Sequence, residues 1–270
     1  MAFIRILRAM ILFALAAASC EKELDIKYHD VAPKTVIEAY ITESGPEVLI
    51  TLTTPMDEPM DRTPLTDATV TLTALSTGLE SALTPDKDGR FRSELVPVPG
   101  HSYRLTVSRG GQSFSAVSTM TPPPHIEGME FSWVEMPYDD VAALQITFSD
   151  NDPDLPGECY WLRVFRNGEP YMWSAIRDDL SVDGTINEVL TTSRKDTDEE
   201  DEDQLLVDGD VVSVLVSQIS REMYDYLQAI RSDSNGPQMF SGDFCLGFFL
   251  AAGQAGASVT FHPDEIPYLR

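Results

Sequence analysis

The segment SYRLTVSRGGQSFSAVS, Ser102 to Ser118, decides the fold class of this chain. Tyr103, Leu105 and Val107 alternate with Ser102, Arg104, Thr106 and Ser108. A period of two gives a strand one apolar and one polar face, the pattern of a half-buried strand rather than a helix. Arg109-Gly110-Gly111-Gln112 then supplies a tight turn, and Phe114, Ala116 and Ser118 resume the alternation on the way back. The segment reads as an antiparallel hairpin with one wet face.

The same grammar extends towards the N-terminus. Val70, Leu72 and Ala74 alternate with Thr69, Thr71 and Thr73, and Thr35–Thr42 and Glu47–Thr53 flank the turn cluster Glu43-Ser44-Gly45-Pro46. Asp86-Lys87-Asp88-Gly89 is a further turn before Phe91. Short strands at regular spacing, with no competing helical window, predict a β-sandwich or barrel over residues 35–121. The set Ala68, Val70, Asp88, Gly89, Phe91, Gly100, Tyr103, Leu105 and Val107 resembles the transthyretin-like or carboxypeptidase-regulatory sandwich. That resemblance implies a supporting or binding module rather than a catalyst.

Thr121-Pro122-Pro123-Pro124 is a stiff, extended stretch and marks a boundary, with a linker at 122–125. Beyond it lie strands around Met129, Phe131 and Trp133, around Leu144, Ile146 and Phe148, and around Tyr160, Leu162 and Val164, the last entering a hairpin at Asn167-Gly168. Tyr171 and Trp173 begin the return, and Val212, Val214 and Val216 follow another turn. One helix, about 220–231, is predicted: Ser220 as N-cap, then Met223, Tyr226, Leu227 and Ile230 on one face. Phe244–Ala251 and Ser258–Phe261 are expected to close this second sandwich. The fold class is therefore mainly β: an N-terminal transthyretin-like sandwich and an immunoglobulin- or fibronectin-like one over 126–270 with a single inserted helix.

The chain starts MAFIRILRAMILFALAAASCEKE, residues 1–23. Arg5 and Arg8 precede an apolar run from Ala9 to Ala18, followed by small residues, which is the order of a secretory signal. The run is about half of the roughly 20 residues needed to cross a bilayer. Ala17-Ala18-Ser19-Cys20 resembles a bacterial lipobox, which implies cleavage after residue 19, acylation of Cys20 and a lipidated tether over 20–34. Glu21-Lys22-Glu23 is similar to the acidic export tag of Bacteroidetes surface lipoproteins, implying an outer-membrane site facing the exterior.

The formal charge is −25, and removal of Arg5 and Arg8 with the signal makes the mature chain more acidic still. Such a chain is repelled by phosphate backbones, which argues against nucleic acid as a partner. A hydrophobic content of 43% is enough for a packed core. With Cys20 spent on lipid, Cys159 and Cys245 remain in an oxidising compartment, where either a disulfide or two buried thiols is allowed.

Little in the sequence speaks for catalysis. His29, His101, His125 and His262 stand apart with no metal-ligand spacing, and no nucleophile motif occurs. Asp150, Asp152 and Asp154 offer hard oxygen donors at alternate loop positions, a candidate structural calcium site. The helix-loop-helix calcium motif nevertheless fails, because Leu155 stands where its glycine is required and Trp161 where its glutamate belongs. The run from Asp196 to Asp203 reads as a solvated acidic loop. Among the aromatics, Trp133 and Tyr160 share a face with core residues. Trp161, opposite Tyr160, and Trp173 remain as exposed candidates for ligand binding.

Taken together, several segments carry a resemblance along the whole mature chain. They are Leu24–Ile26, Val36–Thr42, Asp67–Leu72, Gly100–Val107, Gly209–Val214, Ile219–Leu227 with its Ile-Ser-x-x-x-Tyr-x-Tyr-Leu pattern, and Leu246–Phe249. The ordered set is similar to domain-of-unknown-function family 4249, lipoproteins of Bacteroidetes whose genes often adjoin those of TonB-dependent receptors. The acidic run and Cys159 depart from the family pattern. The resemblance implies a non-enzymatic surface lipoprotein that assists such a receptor in ligand capture or gating. The alternative is a calcium-stabilised adhesin or structural module acting without a receptor.

Overall fold

The computed structural model describes residues 32–55, 58–59, 62–137, 140–149, 157–178, 184–194 and 205–269. Cys20, Asp150, Asp152, Asp154 and the acidic run lie outside the described residues. Among those described, the chain forms sixteen strands, one α-helix and one short 3-10 turn. Among the described residues no helix is long and apolar enough to cross a membrane.

The first sandwich is a nine-stranded sheet that wraps around one core. Its strands are β1 (Thr35–Thr42), β2 (Gly45–Leu52), β3 (Thr69–Ala74), β4 (Leu79–Pro85), β5 (Phe91–Arg92), β6 (Ser102–Arg109) and β7 (Gln112–Thr119), completed by β14 (Ser241–Gly242) and β15 (Leu246–Ala251). They are ordered β14-β7-β6-β3-β4-β5-β2-β1-β15. Alternation places Ile37, Ala39 and Ile41 of β1 and Val48 and Ile50 of β2 inside, where they meet Leu72, Leu105, Val107 and Phe114 from the other half of the sheet. Leu52, although it continues the Val48 and Ile50 alternation, is exposed at the strand end.

The second sandwich sets three strands against four. β8 (His125–Val134), β9 (Val141–Ser149) and β12 (Thr185–Arg194) form one sheet in the order β12-β9-β8. β10 (Cys159–Arg166), β11 (Glu169–Arg177), β13 (Val211–Ile219) and β16 (Ala255–Thr260) form the other, ordered β11-β10-β13-β16. Phe131, Trp133, Leu144, Ile146 and Phe148 from the first meet Tyr160, Leu162, Val164, Val212, Val214 and Val216 from the second. Two antiparallel sheets facing each other over one core fit the sandwich class to which immunoglobulin and fibronectin domains belong. The β10–β11 turn is the anticipated Asn167-Gly168, with positive φ at both residues, as a two-residue hairpin requires.

Between β13 and β16 the chain leaves this sandwich. It forms the helix α1 (Arg221–Arg231), returns to the first sheet as β14 and β15, and only then re-enters to pair β16 with β13. The reading of Phe244–Ala251 as a closing strand of the second sandwich is thus corrected: β15 lies parallel to β1. Apolar alternation identified a strand but carried no information about which edge it would complete. Residues 126–270 consequently do not fold as one sandwich, and the two sandwiches share a third apolar cluster. Trp161, Met223, Leu227, Phe248 and Leu250 are its centre.

Ser220 caps α1, its Oγ accepting from the Met223 N–H at 3.1 Å. Met223 and Leu227 are buried as expected, but Ala229 joins them and Ile230 is 50% exposed. Tyr226 packs against the shared cluster as well, so the expected face holds except at Ile230.

Candidate functional site

Along β10, Tyr160, Leu162 and Val164 point into the second core, so Trp161 and Arg163 project from the opposite face. Along β1, the inward pointing of Ile37, Ala39 and Ile41 leaves Glu38, Tyr40 and Thr42 outside the first core. These two outer faces, with β2, β11 and the 88–92 segment, line a cleft of about 960 Å³.

Aromatic rings build its floor. Tyr40 and Trp161 lie nearly parallel, 15° apart, with centroids separated by 6.4 Å. Phe248 of β15 meets both edge-on, at 5.2 Å from Tyr40 and 5.7 Å from Trp161. The Arg163 guanidinium carbon sits 4.9 Å from the Trp161 ring centre and 5.2 Å from that of Tyr40, within cation–π range of both. Burial pushes the Arg163 guanidinium down from its ordinary value while Tyr40 beside it opposes, and burial likewise raises the Tyr40 phenol against the pull of Arg163.

The rim is ionic. Arg62 pairs with Glu38, Arg90 and Arg92 both pair with Glu47, and Arg92 Nε reaches Asp86 Oδ2 at 2.9 Å. These pairs are partly exposed and individually contribute little to stability. Their effect is on the cleft, which a chain of charge −25 lines with four arginines against three carboxylates. No histidine or cysteine is among the lining residues.

Arg163 differs from the rim arginines. Among the described residues it has no carboxylate within ion-pair distance, and its buried Nε and Nη2 have no hydrogen-bond partner. The buried indole Nε1 of Trp161 beside it is also unpartnered. A buried donor without a partner costs free energy, so three in one place require a reason.

Trp161 and Trp173 both line this cleft, but on different terms. Trp161 is only 7% exposed, because Tyr40 and Phe248 from the first sandwich cover the face that would otherwise meet solvent. Trp173 is 37% exposed and stands directly opposite Arg163 in the β10–β11 register, on the same face of the sheet. Sequence reasoning missed Arg163 and Tyr40. A signal for the first was present: a lone arginine inside the apolar run of a central strand, two residues from an outward tryptophan.

Cys159 and Cys245 are both buried and are not bonded to each other. Cys159 packs in the shared cluster with its Sγ 3.7 Å from the Gly157 carbonyl oxygen, whereas Cys245 belongs to the first core. The allowed disulfide is not formed, since the return of the chain to the first sheet carries Cys245 into a different cluster.

The model of a protein family described as "Domain of unknown function (DUF4249)" matches residues 21–255. No curated protein matches the chain. Among solved structures, a two fibronectin type-III domain segment from chicken tenascin is 12% identical, with 85% of this chain and 100% of that one covered and a TM-score of 0.26. A putative carbohydrate binding protein from Bacteroides uniformis is 11% identical, with 70% and 90% covered and a TM-score of 0.21.

Proposed function

The chain belongs to the DUF4249 family, and from that premise we propose that it is a non-catalytic, lipid-anchored protein of the outer-membrane surface that captures a ligand in its cleft for a TonB-dependent receptor. The observation that carries capture is the pairing of an open aromatic face, Trp173, with unmade hydrogen bonds at Arg163 and Trp161 in one concave site. The cleft carboxylates Glu38 and Glu47 are engaged by arginines, an arrangement for holding rather than for proton transfer. Anchoring rests on the sequence around Cys20, and the receptor on the family resemblance. An acyl anchor complements a binding cleft, because tethering near a membrane partner raises the effective concentration of the captured ligand.

Affinity purification of the wild-type lipoprotein from solubilised outer membrane tests the reading. It predicts recovery of a TonB-dependent receptor and an uptake defect on deletion that a Cys20→Ser form fails to complement. Recovery of no receptor together with unchanged uptake would overturn it.

A further inference from the structure

The unmade bonds at Arg163 have a shape. Nε and Nη2 form one side of the guanidinium fork, the edge that a planar two-oxygen anion bridges with two parallel hydrogen bonds. Tyr40 and Trp161 lie against the guanidinium, which fixes the orientation of its plane. The Trp161 ring that the guanidinium overlies carries a third unpartnered donor, its indole Nε1. Trp173, cross-strand from Arg163 and more than a third exposed, leaves an aromatic face beside the fork for the body of a ligand. The remaining arginines of the cleft are already engaged by Glu38, Glu47 and Asp86, so Arg163 is the cation left over for an incoming charge.

We infer that the cleft recognises the carboxylate of a small ligand, with the Nε–Nη2 edge of Arg163 holding its two oxygens, Trp161 Nε1 donating a further bond and the ligand's body lying against Trp173. This rests on the capture reading and adds the chemical class of what is captured. The fork edge is shut off from solvent, and Arg163 itself lines the cleft, so a ligand reaches the edge by displacing the side chains that cover it. A carboxylate then supplies what neither solvent nor protein gives these donors. A charge-assisted bidentate contact is strong in a partly desolvated site, where the electrostatic attraction is little screened. Lysine in place of Arg163 keeps the charge but loses the fork and its stacking on the rings.

The test follows the Arg163 side-chain Nε–H signal by NMR in the full mature chain during titration with two acids, D-glucuronate and tri-alanine, each beside its neutral counterpart, D-glucose and tri-alanine amide. Assignment comes from loss of the signal in Arg163→Lys. The expected result is a saturable shift with at least one acid, binding roughly tenfold or more tighter than its neutral counterpart, and loss of that preference in Arg163→Lys. Trp161→Phe, which keeps the ring stack and removes the indole donor, is expected to weaken the acid several-fold. Which acid wins separates a sugar acid from a peptide terminus. No shift with either acid up to its solubility limit, equal binding of acid and neutral form, or an equal shift with sulfate overturns the carboxylate assignment. Equal binding that quenches tryptophan fluorescence in the wild type and in Arg163→Lys, but not in Trp173→Phe, leaves capture standing and removes only its anionic specificity. Loss of capture itself is read separately, from the uptake phenotype.

Discussion

Ile37 of β1 and Gly247 of β15 stand directly opposite each other in the parallel pair, and a Cβ on Gly247 would fall 2.0 Å from the Ile37 carbonyl oxygen. Gly247 also has a φ of +100°. The chain can therefore return from the second sandwich to the edge of the first only where residue 247 has no side chain. This position lies within the β1–β15 pairing that brings the chain back to the first sheet, and residues of both sandwiches share a cluster and line the cleft beside it.

Gly247→Ala is accordingly expected to destabilise the protein by about 3 kcal/mol or more, from the left-handed backbone conformation and a clash with backbone that has no alternative rotamer. Equilibrium denaturation measures it. A loss below about 1 kcal/mol would show that β15 is not held against β1 in this register.

Asp210 closes the base of the second sandwich. Burial works to raise its carboxyl, but the Val207 N–H, Asn167 Nδ2 and Arg166 outweigh it and hold the group below the usual carboxylate range. A carboxyl with a depressed folded-state pKa stabilises fully above its unfolded value, about 3.9, and loses that contribution as pH falls through the folded value. Asp210→Asn should cost about 2 kcal/mol at neutral pH and flatten the acid limb of the stability curve below about pH 4. An unchanged acid limb in the variant would contradict this account of the site.

Thiol chemistry provides an independent check on the chain path. Burial pushes the Cys245 thiol up to about 12, and Cys159 is buried in a different cluster. With Cys20 acylated, native protein should react slowly with a thiol reagent and denatured protein should release two reactive thiols without reductant. Fewer than two under denaturing, non-reducing conditions would mean that the pair is oxidised after all.

The strands themselves were legible in the sequence because each sheet has one dry face, and period-two alternation records that face residue by residue, as at Tyr103, Leu105 and Val107. The helix was legible from Ser220 and the Met223–Leu227 spacing. What alternation does not encode is the partner of a strand. Leu246–Ala251 has the same apolar pattern whether it pairs with β16 or with β1, and only Gly247, fitted to the Ile37 backbone, distinguishes the two. The site was half legible for a related reason. Trp161 was placed on the outer face of β10 correctly, but the residues that cover it, Tyr40 and Phe248, are more than eighty residues away in either direction. Exposure depends on that long-range packing, so Trp161 became floor, Trp173 remained open, and Arg163 gained its meaning only once both rings were beside it.

The central claim is that Arg163 is kept for a ligand and not for the fold, and the stability of Arg163→Met measures this most directly. Methionine retains most of the apolar stem beside the rings while removing a buried, carboxylate-free charge and its unpartnered donors. The account predicts a denaturation midpoint equal to or above that of the wild type in the absence of ligand, with the loss of cation–π attraction, about 1 kcal/mol, offset by relief of the desolvated charge. A loss of about 3 kcal/mol or more would identify Arg163 as a structural pillar of the junction and contradict the assignment of the cleft as a capture site.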